Sequence, residues 1–204
     1  PIFQVGIPAG IQSTVINFSN VLLQSSVNSF GSIAMAGYTA ATKADQVSVL
    51  INNAMMTAVS NYVAQNYGAA QPARIRAGVR AALLQTETLN LLMCAGILLL
   101  RHPLVRLFLT EPGAEIYRYS DGYLLGVAPF YVILGLLAVY RTSIQSMQNG
   151  WAPFTACMIE LVMRIAATGV LFRAMGYTAV CLASPLAWFG ACALLIPVYY
   201  HMMR

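Results

Sequence analysis

The chain has 204 residues, of which 59% are hydrophobic and only 8% charged. A soluble domain carries roughly 25% charged residues, so a water-soluble globule is excluded, and the mean hydropathy of +0.69 agrees. The net charge of +5 is scattered over loops and helix ends rather than gathered in a run, which argues against a nucleic-acid partner and for anchoring at a bilayer surface.

A spanning helix needs about 20 mainly apolar residues, so the length allows six. The apolar runs are long and lack the alternation of a membrane β-barrel. The expected fold is all-α: a polytopic six-transmembrane-helix bundle in a lipid bilayer. Expected spans cover residues 8–30, 34–66, 81–100, 119–147, 153–174 and 179–200. Pro8 suits a first helical turn. Residues 67–72 break the chain before Arg74, Arg76 and Arg80. The stretch 101–118 mixes charge with Leu104, Leu107 and Phe108 and reads as partly interfacial. Pro129 should bend the fourth span. Gln148-Asn-Gly150 reads as a tight turn, and Gly176 closes the fifth span. Cys94, Cys157, Cys181 and Cys192 lack CxxC spacing and read as small buried hydrophobes. The chain opens at Pro1 without a signal-peptide pattern, so we expect a piece of a longer protein. Arg74, Arg76, Arg80 and Arg204 fall on one side, against Lys43, Arg101, Arg106, Arg118 and Arg173, so charge alone does not orient the bundle.

The first span carries Ser13, Asn17, Asn20, Gln24 and Asn28 at spacings of 4, 3, 4 and 4, which places them on one face at 100° per residue. Val15 and Leu22 lie opposite. Unpaired amides in hydrocarbon cost several kcal/mol each, so this face must meet other helices or water. Interhelical bonding is one reading. A stripe running the length of the span fits the wall of a hydrated cavity better. The second span repeats the pattern with Gln46, Asn53, Thr57 and Ser60, with Asp45 and Asn61 at the edges. Tyr38, Met55, Met56 and Tyr62 would supply an adaptable apolar wall.

Ionisable residues inside spans are the second signal. Asp45 opens the second span, with Lys43 near enough to neutralise it. Glu87 opens the third and can reach the interface. Glu160 and Arg164 stand at i, i+4 in the fifth, a spacing that allows an intrahelical ion pair. That pair is either structural or a coupling-ion site. Arg141 can snorkel at the end of the fourth span. His102 and His201 stand alone near membrane edges. No hydrolase, metal or phosphate-loop motif occurs, so no catalytic residue, metal site or organic cofactor is expected.

Several segments together resemble a known family. They are Gly6-Ile-Pro-Ala-Gly10, Ser19-Asn-Val-Leu-Leu-Gln-Ser25, Asn28-Ser-Phe-Gly31, Ala34-Met-Ala-Gly-Tyr-Thr-Ala40 and Gln65-Asn-Tyr-Gly-Ala69. Phe108-Leu-Thr-Glu111, Pro129-Phe-Tyr131 and Met147-Gln-Asn-Gly-Trp-Ala-Pro153 fit as well. The series resembles the C-terminal half of multidrug and toxic compound extrusion (MATE) transporters, in the DinF/MepA-like branch. The resemblance implies a bacterial inner-membrane antiporter of two six-helix lobes, with the N-terminal lobe missing here. It implies export of small cationic or amphipathic substrates in exchange for Na+ or H+. It places the Arg74–Arg80 loop in the cytoplasm and the cavity between the lobes. Ile16 and Leu134 stand where other branches carry coupling carboxylates, so the coupling site is expected in the absent lobe. Ile144-Gln-Ser146 also departs from the family pattern. The alternatives are a flippase for lipid-linked saccharides, whose cavity should be more cationic, and a non-transporting membrane scaffold.

Overall fold

Backbone amides in hydrocarbon have no water to bond, so helix is the local solution for each long apolar run. The computed structural model describes residues 2–109 and 112–204, and no strand occurs among them. The first hairpin is α1 (Ile2–Asn28) and α2 (Ser32–Gly68). Gly31 makes its turn at φ +93°, a conformation that side chains with a Cβ rarely adopt.

The third helix, α3 (Pro72–Phe108), has 37 residues. It therefore differs from the expected third span at both ends. Pro72 can start it because the first turn needs no amide donor, so Arg74, Arg76 and Arg80 belong to its opening turns. It continues past Leu100 through a stretch expected to be interfacial, and it contains Pro103. Arg101 Nη1 donates to the Leu98 carbonyl (3.1 Å) in the turn that Pro103 disturbs. Thr110 and Glu111, part of the Phe108–Glu111 segment, lie outside the described residues.

The fourth rod is α4 (Ala114–Val127), one 3-10 turn (Ala128–Phe130) and α5 (Tyr131–Ser146). Pro129 sits in that turn, where its missing amide hydrogen breaks the α-helical ladder. In the Met147–Gly150 turn the left-handed residue is Gln148, at φ +63°, and not Gly150. The fifth rod joins α6 (Trp151–Ala166), a π-helical turn (Ala167–Leu171) and α7 (Phe172–Met175). Gly176 ends it at φ +55°. The last helix is α8 (Tyr177–Met202).

Four of these rods are long and apolar enough to cross a membrane: Pro72–Phe108, Ala114–Ser146, Trp151–Met175 and Tyr177–Met202. The helices α1 and α2 have the length, 27 and 37 residues, but carry the polar stripes. Helix α8 is the most shared neighbour, touching α4, α5 and α6. One core cluster joins Tyr131, Leu137, Ile144, Trp188 and Leu195. A second, with Leu23, Val27, Tyr38 and Val180, ties the base of the α1–α2 hairpin to α8. Helix α1 leans chiefly on α6 and touches α2 sparingly. Both stripe-bearing helices therefore keep an unpacked side.

Candidate functional site

Helix α1 has three faces. Pro8, Gln12, Ser19, Leu23 and Val27 are buried. Ser13, Asn17, Asn20, Gln24 and Asn28 are all exposed. Phe18 and Val21 form a third, apolar face and are 55% and 60% exposed. Val15 and Leu22 are half-buried, so the side opposite the stripe is partly packed rather than open. On α2, Gln46, Asn53 and Thr57 are exposed, while Ser48, Asn52, Val59 and Val63 face inward. Ser60 leaves the stripe and accepts a hydrogen bond from Ser146 Oγ (3.0 Å). Ser13 and Thr57 turn their hydroxyls back to the carbonyls of Ala9 and Asn53 (3.1 and 3.0 Å). The stripes thus lie on the faces that this bundle leaves open.

The buried charges pair differently from the expected arrangement. Glu160 is bonded by Arg141 of α5, not by Arg164 one turn along its own helix. Arg141 is therefore a half-buried ion-pair partner and does not snorkel. Arg164, also buried, extends to α1, where Nη1 donates to Ser19 Oγ and Asn20 Oδ1 (both 3.1 Å). Spacing of i, i+4 reports only that two residues share a face. Which neighbouring helix approaches that face is a tertiary fact. Arg164 thereby supports the α1 stripe from behind, through Asn20.

Asp45 is held by the hydroxyls of Tyr123 (3.3 Å) and Tyr131. Lys43 is not its partner. It is exposed, in a cavity of about 340 Å³ shared with Met35, Phe108 and Leu109. From Asp45 a polar ladder continues inward. Asn52 Nδ2 donates to Asn90 Oδ1 (3.0 Å) and to the Ser48 carbonyl (2.9 Å). Asn90 Nδ2 donates to the Tyr131 carbonyl (3.0 Å). Sequence reading missed this ladder. Asn52, Asn90 and the two tyrosines sit on different helices, and no single-helix periodicity joins them.

Glu87 lies mid-way along α3, far from the helix end expected for it. Its two carboxylate oxygens are buried without a partner among the described residues. Gly135 of α5 makes the room, since a Cβ there would stand 2.7 Å from Glu87 Oε1. His102 is not alone either: Nε2 lies 3.0 Å from Asp121, which Arg101 also pairs at 3.2 Å, clasping α3 to α4. Met55 and Tyr62 line a groove of about 500 Å³ between α2 and α3, with Gly78 and Ala82, rather than the stripe face. Tyr38 packs edge-on against Tyr123.

Residues 8–170 match the MatE family model. The chain is 30% identical over 135 residues to the probable multidrug resistance protein YpnP of Bacillus subtilis (strain 168). It is 21% identical over 156 residues to an FAD transporter of Shewanella oneidensis. These matches take in 66% and 76% of this chain but 30% and 34% of the relatives, so the chain spans about a third of their length. Among solved structures it superposes on the Vibrio cholerae MATE transporter VcmN in the bent form, with TM-score 0.88 and 17% identity. An outward-facing multidrug resistance MATE transporter gives TM-score 0.86 at 16% identity. All of this chain covers 46% of VcmN, and 99% of it covers 46% of the outward-facing structure. Fold and family point to a transporter rather than an enzyme. With the family model matched over most of its length, this chain belongs to the MatE family of multi-pass membrane transporters.

Proposed function

We propose that the chain is one lobe of a secondary multidrug efflux antiporter of a bacterial inner membrane. It exports cationic or amphipathic compounds in exchange for Na+ or H+ by alternating access, with this lobe rocking against a second one. One observation carries the reading: Ser13, Asn17, Asn20, Gln24, Asn28, Gln46, Asn53 and Thr57 all stand on open faces of α1 and α2. Eight polar side chains facing hydrocarbon would be costly. A water-filled cavity closed by the other lobe removes that cost. The match to a multidrug resistance protein supports the substrate class.

Single cysteines at the eight positions of the full-length transporter, probed with a water-soluble thiol reagent, test the cavity. They should label much faster than cysteines at Phe18 and Val21, which are open but apolar. Equal rates would end the proposal. The coupling carboxylate is assigned to the other lobe. Asp45→Asn should therefore keep whichever dependence, on a sodium or a proton gradient, the parent shows in efflux assays. Loss of that dependence at unchanged expression would move coupling into this lobe, to the Asp45–Tyr131 site.

A second reading has one observation in its favour. Arg164 reaches the stripe at Asn20 with only neutral partners, which suits a cargo carrying an anionic group. The FAD transporter is a relative whose name fits that class. Competition of FAD against a cationic dye in uptake assays separates the two. A flippase for lipid-linked saccharides would need more cationic stripes than these.

A further inference from the structure

The end of the lobe that holds the start of α3 and the end of α8 carries a second concave site, away from the stripes. A cavity of about 490 Å³ is lined by Arg76, Arg80, Tyr200, Met203 and Arg204. Arg76 and Arg80 are one helical turn apart, so two like charges share a face of α3, an arrangement that repels. Among the described residues no carboxylate lies within ion-pair distance of Arg76, Arg80 or Arg204. Three guanidiniums therefore line one concavity without a counter-charge among the described residues.

A second observation is independent of the arginines. Tyr199 is 3% exposed, and its hydroxyl is buried without a hydrogen-bond partner among the described residues. It lines a smaller void, about 30 Å³, directly beneath the arginines and shared with Arg76, Arg80, Tyr140 and Tyr200. Buried hydroxyls are ordinarily bonded. This one is left unmet on a residue that lines the same small void as Arg76 and Arg80. Further along α3, Leu84 and Leu91 fall within about 80° of Arg76 around the helix axis and are well exposed. A basic pocket and exposed leucines thus follow one another along one side of the helix.

We propose that this pocket binds the phosphate of an anionic glycerophospholipid, whose acyl chain lies along the leucine face of α3. Basic pockets between membrane helices recognise such head groups. Tyr200 at the rim has the amphipathic ring suited to the interface. The assignment does not depend on what the transporter carries.

The test uses the full-length transporter in detergent, titrated separately with phosphatidylglycerol, phosphatidylcholine and inorganic phosphate. Thermal unfolding and native mass spectrometry are the readouts. Phosphatidylglycerol should raise the unfolding temperature saturably and be retained in the gas phase. Phosphatidylcholine and phosphate should do neither. R76Q/R80Q should weaken phosphatidylglycerol binding about 30-fold. Tyr199→Phe, which removes one oxygen and keeps the packing, should weaken it roughly tenfold. Arg118→Gln, an exposed arginine on α4, should leave it unchanged. The proposal is overturned if phosphatidylcholine stabilises equally, or if inorganic phosphate reproduces the effect and so marks a site for a soluble anion. Parent-like binding by the folded Tyr199→Phe protein also overturns it, even if the arginine variants fail to fold.

Discussion

Arg141 and Glu160 form a buried pair between α5 and α6, with side chains 16% and 8% exposed. Removing one partner strands the other charge away from water. Glu160→Gln should cost about 3–5 kcal/mol of stability. Removing both charges in R141M/E160M should recover most of it, because a well-packed apolar pair avoids the desolvation penalty. Chemical unfolding of the parent, Glu160→Gln and R141M/E160M proteins decides the matter. If Glu160→Gln is silent, the pair is ornamental. Asn90 makes the same point for neutral groups. It exchanges bonds with Asn52 across the α2–α3 interface and holds the Tyr131 carbonyl beside the Pro129 bend. Asn90→Leu should destabilise by about 1–3 kcal/mol, since it leaves Asn52 with an unmet amide. The same unfolding measurement reads it. Arg141 and Glu160 stood out in the sequence as charges within apolar spans, whereas Asn52 and Asn90 did not. The partners of all four were not legible there, because pairing across helices depends on which faces meet.

Helix α2 approaches α4 closely at Gly37. A Cβ there would stand 2.7 Å from the Ile116 carbonyl oxygen and 2.9 Å from Tyr119 Cβ. Backbone cannot move aside as a flexible side chain can. Gly37→Val should force the two helices apart and destabilise by about 1–3 kcal/mol, visible as a lower unfolding temperature. An unchanged temperature would show that the contact is loose. Gly37 sits next to Tyr38, which packs on Tyr123, and Tyr123 bonds Asp45. The substitution should therefore also disturb the Asp45 site. The helices themselves followed from long apolar runs and from breakers at residues 67–72, Gln148–Gly150 and Gly176. The lengths of α3 and its overrun past Leu100 did not. A proline and three nearby cations mark a boundary in sequence statistics, yet proline at the first turn and at Pro103 is absorbed by helix geometry and by packing against α4.

As a whole the bundle is packed on one side and open on the other. Its core runs through α8, α5 and α2, and its open side carries the neutral stripes. Expressed without a partner lobe, the chain should aggregate or be degraded, since polar faces would meet lipid. Size-exclusion chromatography and a transport assay test this. A monodisperse, transport-competent half would refute it. The sequence by itself determined the solvent, the all-helical class, the six rods, and the fact that Ser13, Asn17, Asn20, Gln24, Asn28, Gln46, Asn53 and Thr57 fall on single helical faces. These are consequences of composition and of a fixed 100° rotation per residue, which need no neighbour. Only the tertiary structure decided that those faces stay open, that Glu160 pairs with Arg141, that Arg164 reaches α1, and that Asp45 is held by Tyr123 and Tyr131. Each of these depends on which helices lie side by side, and helix packing is settled by the fit of whole surfaces rather than by the spacing along any one chain segment.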